Sequence, residues 1–121
     1  MLKKHSEIGI CSECYTLKGG CNCRKRYVYV DTGIAYIIQT LNLKGYETIG
    51  SCEGHEEHIP FDGYIAFKEK YDFNIPIPKY CVLKDNQYKN SYWLTAKENV
   101  NKEKFLADLL QWSLLLERNN I

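Results

Sequence analysis

The sequence predicts an α+β domain: a small mixed β-sheet of about five strands packed by two helices, with an N-terminal zinc knuckle. Three observations carry that expectation. Four cysteines, Cys11, Cys14, Cys21 and Cys23, crowd into one short N-terminal segment. Two stretches, 34–41 and 101–118, place apolar residues at helical spacing. Most of the other apolar residues fall in short β-branched and aromatic runs.

A chain of 121 residues builds one core, so residues 1–26 (arm and knuckle) and 27–121 (α+β part) are read as one unit. Hydrophobic residues make up 45% and charged residues 26%, which suits a folded chain and excludes a disordered one. The net charge of +1 argues against a protein that coats nucleic acid, so nucleic acid is a permitted partner but not a favoured one. Charge is uneven, however. In the first thirty residues Lys3, Lys4, Lys18, Arg24, Lys25 and Arg26 outnumber Glu7 and Glu13, a local excess of +4 that would help an anionic partner dock. The polar N-terminus lacks the apolar segment of a signal peptide, and no run approaches membrane-spanning length. A cytoplasmic location without a membrane partner is expected, and in a reducing compartment cysteines ligate metal more readily than they pair as disulfides.

Residues 1 to 8 read as a short arm with nothing to bury. Cys11-Ser12-Glu13-Cys14 has the spacing at which a tight turn aims two thiolates at one ion, and Gly19-Gly20 supplies a second turn before Cys21-Asn22-Cys23. Four thiolates close a tetrahedral shell with no open position. Cys11, Cys14, Cys21 and Cys23 therefore predict a structural zinc, whose binding would order a segment too polar to fold by burial.

Tyr27-Val28-Tyr29-Val30 reads as a strand, central in its sheet because polar residues do not alternate through it. Asp31 or Thr32 offers an N-cap to a helix carrying Ile34, Ile37, Ile38 and Leu41, and Gly45 fits the position just past its end. Tyr46 to Gly50 is the next strand, and the order strand, helix, strand predicts a parallel right-handed crossover. Tyr64 to Lys68 is a third strand. Asn74-Ile75-Pro76-Ile77-Pro78 must be extended and unpaired, because proline donates nothing to a ladder. Tyr80 to Leu83 and Ser91 to Thr95, on either side of a turn at Asp85-Asn86, predict an antiparallel hairpin. From Asn101 to Arg118 a helix carries Phe105, Leu106, Leu109, Leu110, Trp112 and Leu116 along one stripe. Leu114 and Leu115 lie beyond that stripe and are read as a homodimer contact. Ten tyrosines and two tryptophans are read chiefly as strand and core residues, with a stacking surface for bases as the sharper alternative. Cys81 and His5 stand alone and read as structural or incidental.

The densest chemistry lies in Gly50-Ser51-Cys52-Glu53-Gly54-His55-Glu56-Glu57-His58, beyond the carboxyl end of a strand, where open α/β sheets place ligands. As a binding turn, it would close backbone N–H groups on an anion or a nucleotide edge, with His55 donating a further bond. As a catalytic zinc site, Cys52, His55 and His58 would be ligands and Glu53, Glu56 or Glu57 the base. As a nucleophilic pair, Cys52 and His55 would need a third partner that the sequence does not name. Cys52 could also be a small buried residue in a solvated acidic loop. The binding turn ranks first, with Ser51, Cys52, Gly54 and His55 as ligand residues, because no second catalytic constellation accompanies it. The plain loop ranks second, the metal third and the nucleophile last.

Lys44-Gly45-Tyr46-Glu47-Thr48, Ser51-Cys52-Glu53-Gly54-His55, Tyr64-Ile65-Ala66-Phe67 and Leu110-Gln111-Trp112 resemble a set of small proteins from phages and mobile elements of low-GC Gram-positive bacteria. The resemblance spans residues 30 to 118 and implies a small α+β domain in a mobile-element setting. More distantly, the Ser-Cys-x-Gly turn is similar to that of the wybutosine-synthesis methyltransferases of the third type. In that family arginine stands where this chain has His55, and an imidazole cannot reproduce the charged bidentate fork. The expectation is a non-enzymatic binding protein with a structural zinc, a phage counter-defence factor that sequesters a small anionic or nucleotide-type ligand or blocks a host protein. The alternatives are a methyltransferase-like or metal-dependent enzyme acting at the Cys52–His55 turn, and a zinc-stabilised dimeric interaction module.

Overall fold

Ile8 and Ile10 fall on one side of a period-two run, and in the computed structural model Glu7–Cys11 forms strand β1 with Ile10 buried. The structure describes residues 6–23, 26–86 and 90–119; His5 and the basic residues Lys3, Lys4, Arg24 and Lys25 lie outside them. β1 corrects the expectation that residues up to 8 only form an arm. Gly9, between the two isoleucines, hides the strand from propensity. Burial of Ile10 under the core holds it in place.

β2 (Tyr27–Asp31) pairs antiparallel with β1, Ile10 opposite Val28 and Ile8 opposite Val30. It is not a central strand. Val28 and Tyr29 are more than half exposed, and β1 with β2 forms a two-stranded sheet of its own. A 3₁₀ turn (Thr32–Ile34) leads into α1 (Ala35–Leu43), which buries Ala35, Ile37, Ile38 and Leu41, and Gly45 follows at φ +93°. That left-handed conformation stops the helix at little cost only in glycine. Asp31 does not cap the turn through its side chain, because its carboxylate is engaged elsewhere, and Thr32 Oγ1 accepts from Ser6 Oγ.

β3 (Thr48–Cys52), β4 (Tyr64–Phe67), β5 (Cys81–Asn86) and β6 (Ser91–Ala96) form a second sheet in the order β3-β4-β6-β5, every neighbour antiparallel. The β5–β6 hairpin is present as expected, but Asp85 and Asn86 belong to the strand, opposite Tyr92 and Ser91. Residues 74–78 form no strand. The crossover from β2 through α1 does not end in a parallel ladder: β3 pairs with β4, and β2 pairs with β1. One cause is visible at Asn42. Its Oδ1 accepts the N–H of Thr48 at 3.1 Å, and its Nδ2 reaches Thr48 Oγ1 at 3.1 Å, so the opening of β3 is already satisfied by a side chain of α1.

α2 (Lys102–Leu115) starts at an Asn101 N-cap, whose side chain accepts the Lys104 N–H, and ends three residues sooner than Arg118. Lys44 sits against that end and donates to the carbonyls of Ser113, Leu114 and Leu116. Ile65, Phe67 and Leu94 of the second sheet share one buried core with Ile34, Ile37 and Leu41 from the α1 region and with Phe105, Leu109 and Trp112 from α2. Trp93 and Val82, on alternate strand positions, stay part exposed. Many of the aromatic residues are core. Tyr46, Phe67, Tyr71, Phe73 and Trp112 form a chain of ring contacts, and Trp112 Nε1 donates to the Pro76 carbonyl at 3.0 Å. Leu110, Leu114 and Leu115 lie exposed along α2. Among the described residues no helix is long and apolar enough to cross a membrane.

Candidate functional site

The four cysteines come together. One sulfur from each of Cys11, Cys14, Cys21 and Cys23 lies within 4.8 Å of the others, an arrangement that could hold a metal ion. Local backbone builds the cluster: the Tyr15 N–H donates to the Cys11 carbonyl, Tyr15 adopts φ 62°, and the Glu13 N–H points at Cys11 Sγ at 3.4 Å. Such an N–H···S contact orients the sulfur. Hydrogen bonding with the side chain and backbone of Thr16 brings the Cys14 thiol pKa down to about 6, whereas contact with Cys14 and burial push that of Cys23 up. Buried Cys11 is also the last residue of β1, so the cluster is anchored to the hairpin.

β2 and β3 are tied at their carboxyl ends. There Asp31 Oδ2 accepts the backbone N–H of Glu53 at 2.9 Å, and Glu53 Oε1 accepts the Gly33 N–H at 3.2 Å. The Glu53 carboxylate is buried and ion-paired with Lys102. Away from this tie the strands part, leaving a cleft of about 370 Å³ between the two sheets. Ile38 and Asn42 of α1 line it together with Tyr29, Glu47, Ser51 and Tyr64. In the β1–β2 register Ser12 bonds Arg26 and Thr32 bonds Ser6, so alternate residues Tyr27, Tyr29 and Asp31 turn their backbone N–H and C=O away from β1. Lys18 Nζ lies 3.1 Å from Tyr29 Oη, which puts a cation beside the cleft. A wider groove of about 670 Å³ runs between the 56–61 loop and the start of α2, walled mostly by charged and loop residues.

Of the residues predicted for the ligand, Ser51 and its neighbour Gly50 line the cleft, while Cys52, Gly54 and His55 gather on a second, adjoining cluster. Three backbone N–H groups of the turn are occupied within the protein, that of Gly54 among them: Glu53 donates to Asp31, Gly54 to Cys52 Sγ, and His55 to Asp62 Oδ1 at 2.6 Å. Gly54 is required here. Its φ is +93°, and a Cβ would lie 2.0 Å from the Phe61 ring. Asp62 is the partner that sequence reasoning missed. Its Oδ2 lies 2.8 Å from His55 Nδ1 and 3.0 Å from His58 Nδ1. The only sequence signal was Asp62-Gly63 before a strand, which reads equally well as a turn. Burial works to raise Asp62, but the His55 backbone and ring hydrogen bonds and the two imidazoles outweigh it and hold the carboxyl below its usual range. Burial pushes the Cys52 thiol up, and the nearby Asp31 and Asp62 carboxylates push the same way. A thiol held protonated among carboxylates is a poor nucleophile. The Glu53 carboxylate is tied to Lys102 and to the Gly33 N–H.

No protein-family model, curated protein or solved structure matches the chain.

Proposed function

We propose that this chain is a binding protein that seats a small planar ligand, of the nucleobase or nucleoside type, in the cleft between β2 and β3. One observation carries the reading: two strands that leave and enter the same helix are tied at one end and held open elsewhere, around a volume within the usual range of small-ligand sites. Tyr29 and Tyr64 offer aromatic faces, and Thr48 and Ser51 offer hydroxyls at the edge of a flat ring. Lys18 beside Tyr29 would meet a phosphate at the rim, whereas the Glu47 carboxylate in the wall is already paired with Lys68 at 3.1 Å. A nucleotide would therefore enter base first.

The four-cysteine cluster takes zinc in this reading, because an all-thiolate tetrahedral set suits that ion. The ion stiffens the hairpin that forms one wall of the cleft, since Cys11 lines it. The counter-defence role rests on the sequence resemblance; sequestration of a nucleotide signal is the form of it that fits this cleft. A thermal-shift screen of nucleosides, mononucleotides and cyclic dinucleotides tests the reading. Stabilisation by members of one base class supports it, and a panel without effect overturns it. The exposed ridge of Leu110, Leu114 and Leu115 favours the homodimer as a second reading, tested by analytical ultracentrifugation of the native chain and a Leu114→Glu variant.

A further inference from the structure

We infer that Cys52, His55 and Asp62 form a second metal site, for a divalent ion of the zinc class, separate from the four-cysteine knuckle. A sulfur, an imidazole nitrogen and a carboxylate oxygen from these residues all lie within 4.8 Å of one another. They come from three parts of the chain: the end of β3, the turn, and the residue two before β4. Two of them are already aimed by backbone contacts, the Gly54 N–H on Cys52 Sγ and the His55 N–H on Asp62 Oδ1, and Asp62 Oδ2 holds the His55 ring at 2.8 Å. A preorganised donor set loses little freedom when an ion enters.

The surroundings favour a cation over the anion first expected at this turn. Asp31 and Asp62 both face Cys52, and the turn's N–H groups point at those carboxylates and the sulfur rather than at open space. One thiolate, one imidazole and one carboxylate form a borderline-soft set that suits zinc better than magnesium or calcium. His58, its Nδ1 3.0 Å from Asp62 Oδ2, steadies the carboxylate from outside. On binding, the Cys52 thiol proton and any proton shared between His55 and Asp62 pass to solvent, so uptake is opposed by acid. Three protein donors leave a fourth position for water or a ligand atom, unlike the closed knuckle.

Native mass spectrometry of the full chain, stripped of metal and then saturated with zinc, tests the assignment. Two ions per chain are expected, falling to one in Cys52→Ser and in Asp62→Asn and staying at two in His58→Ala. The retained knuckle ion and the near-ultraviolet signal of core Trp112 report that the variants fold. A second measurement needs no variant: chelator titration of the zinc-loaded chain is expected to release ions in two steps, the three-donor ion first. A single ion at saturation, single-step release, or two ions retained in both folded Cys52→Ser and Asp62→Asn would overturn the site. Because no nucleoside enters either experiment, their failure is distinct from failure of the cleft reading.

Discussion

Asp31 Oδ2 accepts the backbone N–H of Glu53 at 2.9 Å, so the last residue of β2 holds the first residue beyond β3. The tie is reciprocal, because Glu53 Oε1 accepts the Gly33 N–H at 3.2 Å just past Asp31. It closes one end of the cleft in place of the ladder the two strands do not form. Asp31→Ala removes a charge-assisted acceptor and leaves a part-buried N–H, which costs about 1–3 kcal/mol. Gly33→Ala should also destabilise, since its Cβ would lie 2.8 Å from Glu53 Oε2. Urea unfolding checks both; a midpoint unchanged in Asp31→Ala would show that the tie carries no stability.

Metal removal should act first on the N-terminal hairpin. Stripping the four-cysteine cluster is expected to speed amide exchange at Ile8 and Ile10 while Ile65 and Leu94 stay protected, because those lie in the other sheet. Uniform protection with and without metal would contradict a structural ion.

Asp62 sets a pH dependence. Its folded pKa lies below the ordinary carboxylate value, so its stabilising contribution is fully present above that value and is lost as pH falls through the folded one. In metal-free buffer the stability gap between the native chain and Asp62→Asn should be widest near neutral pH and should close in strong acid. A gap constant from pH 7 down to about pH 2–3 would show that the Asp62–His55 bonds carry no stability.

Lys44 serves as the stop of α2, its Nζ within 2.9 Å of three terminal carbonyls. Lys44→Met keeps the stem but removes the donors, and part exposure limits the expected loss to about 1–2 kcal/mol. Circular dichroism against urea measures it, with fraying of α2 as the visible consequence.

The elements legible in the sequence were those whose own residues decide them. α1 shows in Ile34, Ile37, Ile38 and Leu41, α2 in Phe105, Leu109 and Trp112, and the cysteine cluster in its spacing. What failed depended on distant partners. β1 is hidden by Gly9 and appears only because Ile10 finds the core. Asp31 looked like a helix cap, but Glu53, twenty-two residues on, takes its carboxylate. The parallel ladder gives way to pairing of β2 with β1 and of β3 with β4, with Asn42 taking the Thr48 N–H, and Asp62 is recruited by His55 through a loop no local pattern describes. The cleft follows from these tertiary choices, so no motif announces it.

The cleft itself is tested most directly by calorimetric titration of nucleosides and nucleotides into the zinc-loaded chain, into Tyr29→Ala, which removes a wall ring, and into Ser51→Leu, which fills the space. Saturable one-to-one binding to the native chain is expected, weakened roughly tenfold or more by Tyr29→Ala, in line with the loss of one stacking contact, and abolished by Ser51→Leu. No binding by any base, or equal affinity in all three proteins, would contradict a ligand seated between β2 and β3.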